Sequence, residues 1–183
     1  MLKVIFSLLL ILMFSGSSLS AQGFSYSSPE HGIRLSFPEG WSVDSHVNKT
    51  ILAVAVAPDG ESINIAVEKL PSEYSRFTFE SFSLHDVKEY IKELESKLIS
   101  ASPGIVLEDW GTRKIDGKKA VWVLFSLPSP ELGGIKTLHI QVMHNARLYM
   151  VTCGAASDKY RTFKRIFEQS LNSIRFELPG VNL

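Results

Sequence analysis

Along the chain, apolar residues recur in two rhythms, one with the period of a strand and one with the period of a helix. Phe24 to Ser28 and Ile33 to Phe37 read as short strands around a Pro29-Glu30-His31-Gly32 turn, and Pro38-Glu39-Gly40 breaks the chain before Trp41-Ser42-Val43. Ile51 to Ala57 is apolar throughout, as a strand covered on both faces would be. One face carries Ile51, Ala53, Ala55 and Ala57 and the other Leu52, Val54 and Val56, so a covering helix would lie close on the small side. After Pro58-Asp59-Gly60, Ile63, Ile65 and Val67 alternate with Ser62, Asn64 and Ala66, which predicts an antiparallel hairpin.

Pro71 to Phe82 has no clean period, although it carries Tyr74, Phe77, Phe79 and Phe82. Ser83 and Asp86 form a capping-box pair, and Leu84, Val87, Ile91, Leu94 and Leu98 make one apolar helical stripe, ended by Ser102-Pro103-Gly104. Ile105 to Ile115 and Ala120 to Leu127 flank Asp116-Gly117, a strong tight-turn signal. Beyond the loop from Pro128 to Gly134, Leu138, Ile140 and Val142 alternate with Thr137, His139, Gln141 and Met143, and His144-Asn145-Ala146-Arg147 turns into Leu148 to Cys153. A second helix starts near Ser157-Asp158 with Tyr160, Phe163, Phe167 and Leu171 on one side, and Ile174 to Phe176 is a last short strand. Consecutive hairpins with two separated helices predict an α+β domain, a mainly antiparallel twisted sheet flanked by helices, and exclude a parallel doubly wound fold.

The amino terminus has a different pattern. Lys3 precedes an apolar run from Val4 to Phe14 interrupted only by Ser7, and small and polar residues follow to Gln22. This is the layout of a signal peptide over residues 1–20, with cleavage before Ala21 and the bond after Ala21 as the next choice. The apolar run is shorter than the roughly 20 residues of a spanning helix, which favours processing over anchoring. Residues 21–183 then form a single exported domain, periplasmic or secreted.

Charge removes one class of function. The 183 residues hold 19 basic and 19 acidic side chains, so no global field recruits nucleic acid. Cys153 is the only cysteine, so no internal disulfide forms and stability comes from the core. Its strand-like surroundings favour a small buried residue over a reactive thiol.

Several of these runs carry a resemblance. Tyr26 to Trp41, with Phe37-Pro38-Glu39-Gly40-Trp41 at its end, resembles the opening of PsbP-like domains. Asp116-Gly117-Lys118-Lys119-Ala120 is similar to that family's central turn, and Arg147 to Gly154 followed by Tyr160, Phe163, Ile166 and Ser170 to its terminal strand-helix unit. The resemblance implies a PsbP-like α/β/α sandwich over residues 21–183. Members of the superfamily include an extrinsic subunit of photosystem II, a Ran-binding nuclear import factor and bacterial envelope proteins, with no shared catalytic apparatus. Fold alone therefore does not carry a function over.

Candidate chemistry is sparse. The chain has no phosphate-binding glycine loop and no HExxH, GxSxG or CxxC motif. His31, His46, His85, His139 and His144 show no ligand spacing, and no catalytic residue, cofactor or metal is predicted. An enzymatic reading would need distant groups to converge, such as His139 with Glu108 or Asp109. Two surfaces are candidates for a partner or ligand: the aromatic segment Tyr74, Phe77, Phe79 and Phe82, and the cationic strip Lys159, Arg161, Lys164 and Arg165 on the second helix. The bland alternatives are a loop pinned to the core and a solvated helix face, and Trp41, Trp110 and Trp122 read as packing residues. The leading expectation is a non-catalytic accessory factor that binds an envelope protein of unspecified identity. The alternatives are a small-ligand or lipid-binding module built on residues 74–82, and an enzyme with an unrecognised site.

Overall fold

The structure is a computed structural model that describes residues 23–45 and 47–177. The signal-peptide reading of residues 1–20 and His46 lie outside the described residues. Among the described residues, ten strands and two α-helices follow one another as β1 (Ser25–Ser28), β2 (Ile33–Ser36), β3 (Ser42–Ser45), β4 (Ile51–Val56), β5 (Ser62–Lys69), α1 (Leu84–Ala101), β6 (Val106–Ile115), β7 (Lys118–Leu127), β8 (Ile135–His144), β9 (Arg147–Ala156), α2 (Tyr160–Ser173) and β10 (Arg175–Phe176). Two 3-10 turns, Ser72–Tyr74 and Phe79–Ser81, lie between β5 and α1.

The strands do not form a single sheet. A seven-stranded sheet runs β3-β4-β5-β9-β8-β7-β6, antiparallel throughout, and β1-β2-β10 form a small second sheet. The last strand thus pairs with β2, and closes the small sheet rather than the large one. Tight turns set the register of the long hairpins. Asp116 and Gly117 both have positive φ, as do Asn145 and Ala146, and this backbone hand matches the twist of the strands they join.

Both faces of the large sheet are covered, which explains its strongly apolar strands. On one face Ile63, Ile65, Ile140, Val142 and Val151 share a core with Tyr26, Leu35 and Phe37 of the small-sheet layer and with Phe167 and Leu171 of α2. Ala53 and Ala55 belong to that core, whereas Val54 and Val56, on the opposite face of β4, stay half-buried. The other face buries Val121, Val123, Phe125, Met143 and Met150 against Val87, Ile91, Leu94 and Leu98 of α1.

Local signals set the helix ends. Asp86 donates its backbone N–H to Ser83 Oγ at 3.2 Å, and the Asp86 carboxylate accepts from Ser83 N–H at 2.8 Å, completing the capping box. Leu84 departs from the expected stripe. It sits in the first turn, 66% exposed, and Tyr90 joins the buried row instead.

Candidate functional site

The aromatic segment is divided between core and surface. Phe79 is completely buried, and its ring meets those of Phe82 and Tyr90 edge-on at 5.3 Å each. Tyr74 and Phe77 form a separate edge-on pair at 5.4 Å, and Phe77 remains 46% exposed. The segment is anchored from β7: Lys119 donates its backbone N–H to Glu80 at 2.7 Å and its ammonium to the Phe82 carbonyl at 2.8 Å. Phe79 and Phe82 therefore fasten the connection beneath α1, and Phe77 is the ring left to solvent.

A polar chain crosses the α1 face of the large sheet. Tyr90 donates its hydroxyl to Gln141 Oε1, Gln141 Nε2 lies 3.0 Å from His139 Nε2, and His139 Nδ1 lies 2.9 Å from Thr152 Oγ1. Burial drives the His139 pKa down to about 4, so near neutral pH the ring carries one proton. With Nε2 accepting from the Gln141 amide, that proton is on Nδ1 and is donated to Thr152. In this way one hydrogen-bonded chain joins α1 to the two central strands.

The carboxylates considered as partners for His139 are on the other side of the sheet. Glu108 is hydrogen-bonded by Ser126 and paired with Lys136 at 2.7 Å, and the Lys136 and Ser126 contacts hold its carboxyl below the usual range. Asp109 stands opposite Leu124, which packs into the α2-side core, and its carboxylate caps the Trp110 N–H at 2.8 Å. His139 and Lys136 have opposite parity on β8, so the backbone sheet separates the imidazole from both acids. Cys153 is buried in the α2-side core, and burial pushes its thiol far above its ordinary pKa. Among the described residues no three His, Cys, Asp or Glu side chains are grouped to hold a metal ion.

The cationic strip on α2 separates in the same way. Lys159 precedes the helix and pairs with Asp59 at 3.2 Å and Glu61 at 3.6 Å. Arg161, Lys164 and Arg165 are exposed and make no ion pair among the described residues. Helix geometry places Lys164 and Arg161 within about 40° of Glu168, one and two turns before it. Glu168 in turn grips Arg113 of β6 through two hydrogen bonds of 2.8 and 2.7 Å.

Those contacts bracket the α2-facing side of β6 and β7. At one end Lys136 pairs with Glu108 and lies 6.0 Å from the Tyr160 ring, and at the other Arg113 pairs with Glu168. Between them half-buried Trp122 and Leu124 of β7 pack against the α2-side core, with Trp122 opposite Gly111 of β6. The Trp122 indole covers Gly111 so closely that an added Cβ would stand 2.9 Å from Cζ2 and 3.0 Å from Nε1. A shallow recess of about 380 Å³ adjoins the C-terminal end of β6, lined by Glu80, Thr112, Arg113, Lys114, Gly117 and Lys119. Neither the Trp122–Gly111 stack nor the Arg113–Glu168 clamp was deduced from the sequence. The available signal was a lone glycine within the strand pattern Leu107–Ile115, which marks a close approach.

With this geometry defined, comparison with known proteins gives the family. The PsbP family profile matches residues 22–176, and the chain belongs to that family. Cyanobacterial PsbP (CyanoP) from Synechocystis has a similar structure, with a TM-score of 0.64 and 18% identity, over 90% of this chain and 98% of that one. LpqN, involved in cell envelope biogenesis of Mycobacterium tuberculosis, gives a TM-score of 0.59 and 14% identity over 85% of this chain and 91% of its own. A Bacteroides thetaiotaomicron protein gives 0.60 and 11%, over 88% of this chain and 51% of that one. These likenesses establish the α+β fold. A search of curated proteins returns no match. Among the described residues no helix is long and apolar enough to cross a membrane.

Proposed function

We propose that this chain is an exported, non-catalytic accessory factor of the cell envelope, and that it binds another protein through the cationic flank of α2. The observation that carries this reading is the state of the charges. Arg161, Lys164 and Arg165 project without an ion-pair partner among the described residues, while the neighbouring acids Glu168 and Glu108 are held by Arg113 and Lys136. Nothing in this set neutralises the helix flank, so it favours an acidic partner surface. Half-buried Trp122 packs against the core on the α2 side of the sheet, and tryptophan and arginine are the residue types that dominate binding hot spots.

Membership of the PsbP family, the fold shared with an envelope-biogenesis protein and the signal-peptide pattern support an envelope role. His139 supports the non-catalytic part, because both of its ring nitrogens are engaged by Thr152 and Gln141. The test is capture from an envelope extract with cross-linking, using the wild type and an Arg161→Glu, Lys164→Glu, Arg165→Glu variant. The wild type should retain a partner that the variant loses, and added salt should weaken the capture. Recovery of the protein alone at native abundance would reject the reading.

A further inference from the structure

β6 is an outer strand of the large sheet and, among the described residues, no strand pairs with its far side. It is ten residues long, against four for β3 at the opposite edge. About half of its residues direct N–H and C=O away from β7, which is an open template for another strand. Proteins guard such edges with charge, and β6 carries Glu108, Asp109, Arg113 and Lys114.

Most of that guard is tied back. Glu108 is turned to Lys136 and Ser126, Arg113 to Glu168, and Asp109 to the Trp110 N–H. A bulge between Leu107 and Asp109 disrupts the N-terminal part, which leaves Trp110 to Lys114 as the regular, open stretch. Gly111 lies within it. Having no side chain, it lets the Trp122 ring extend over β6 toward the outer edge. A strand laid beside β6 would therefore find an indole where a side chain of the edge strand would otherwise stand. On α2, Lys164 and Arg161 share the helix side of Glu168, the residue that reaches β6 at Arg113.

We propose that an extended segment of a partner protein adds to the Trp110–Lys114 edge as an eighth strand of the large sheet, placing an apolar side chain against Trp122 and an acidic one toward Lys164 and Arg161. These two side chains belong two residues apart, because alternate residues of a strand share a face. Main-chain hydrogen bonds supply affinity, and the indole and the two cations supply selectivity, as side-chain contacts do in other strand-addition complexes. This specifies the partner chemistry of the protein-binding reading above and rests on it.

The experiment uses ¹⁵N-labelled protein and a labelled nine-residue peptide alternating glutamate with valine and phenylalanine. A second peptide of the same sequence is N-methylated at alternate backbone nitrogens. The parent peptide should bind and slow amide exchange at alternate residues within 110–114 by at least about tenfold. N-methylation should weaken binding by about tenfold or more, as should Arg161→Glu with Lys164→Glu. Equal binding of the methylated peptide, or unchanged exchange at 110–114, overturns strand addition. The same protection appearing without peptide as the protein self-associates also overturns it, because the occupant is then a second copy. If capture from extract depends on the α2 charges while exchange at 110–114 is unchanged, strand addition fails and the accessory reading stands. If capture recovers no partner, the accessory reading fails whatever the peptide does.

Discussion

His139→Asn tests how far the α1 side of the sheet depends on a neutral imidazole. The asparagine amide can replace Nδ1–H as donor to Thr152, and it removes the titrating ring. In the unfolded chain the histidine pKa is about 6.5, whereas burial lowers it to about 4 in the native protein. Between these values the unfolded chain takes up a proton that the native state refuses. The stability associated with the neutral ring is therefore complete above about pH 6.5, is lost as the pH falls toward about 4, and levels off below that. Between pH 7 and pH 4.5 the loss is about 2 kcal/mol.

Other groups that titrate in this window are present in both proteins and cancel in the difference. Urea denaturation at pH 7, 6, 5 and 4.5 would supply that difference. At pH 7 the variant should be less stable by about 1 kcal/mol, since Gln141 loses its acceptor. By pH 4.5 the wild type should have lost its advantage and fallen below the variant. A gap that stays constant with pH refutes the argument, as does an NMR titration of the His139 ring centred near 6.5.

Three further outcomes follow from local geometry. Ala146 has φ +56°, a left-handed conformation that costs a non-glycine residue, so Ala146→Gly should stabilise the protein by about 1 kcal/mol in thermal unfolding; a neutral or lower stability would show that the turn is not strained. Gly111→Ala forces the Trp122 indole to move, and should cost about 1–3 kcal/mol and shift the tryptophan emission; an unchanged spectrum would contradict the stacked arrangement. Tyr149→Phe removes the 2.6 Å hydrogen bond to the His31 carbonyl that joins β9 to the β1–β2 turn, with an expected loss of about 1 kcal/mol in urea, and no loss would mean water replaces it fully.

Much of the fold was legible because its causes are local. The capping box needs only Ser83 and Asp86 at the right spacing, and the Asp116-Gly117 turn needs only two residues that tolerate positive φ. The apolar stripe of α1 and the alternation along β5 and β8 follow from side-chain periods of 3.6 and 2. Resemblance in short runs such as Phe37 to Trp41 pointed to the PsbP family, and the match over residues 22–176 bears it out.

The site was less legible. The sequence singled out Lys159, Arg161, Lys164 and Arg165 as one strip, yet Lys159 is paired with Asp59 and Glu61 from the β4–β5 hairpin. It allowed His139 to be imagined beside Glu108 or Asp109, whereas cross-strand parity places them on opposite faces. A period of 2 assigns residues to alternating faces within one strand, but it says nothing about which face of the next strand is shared. The Leu107/Asp109 bulge even alters the count within β6.

What the sequence by itself determined were the elements: where strands and helices begin, how they turn, and which of their positions are apolar. Tertiary structure alone decided that Lys69 pairs with Arg147, that β10 joins β2, and that Trp122 lies over Gly111 beside the Arg113–Glu168 clamp. The physical reason is range. Capping, turn geometry and periodicity act over a few residues, whereas the order of strands and the meeting of α2 with β6 depend on burying two faces of one sheet at once.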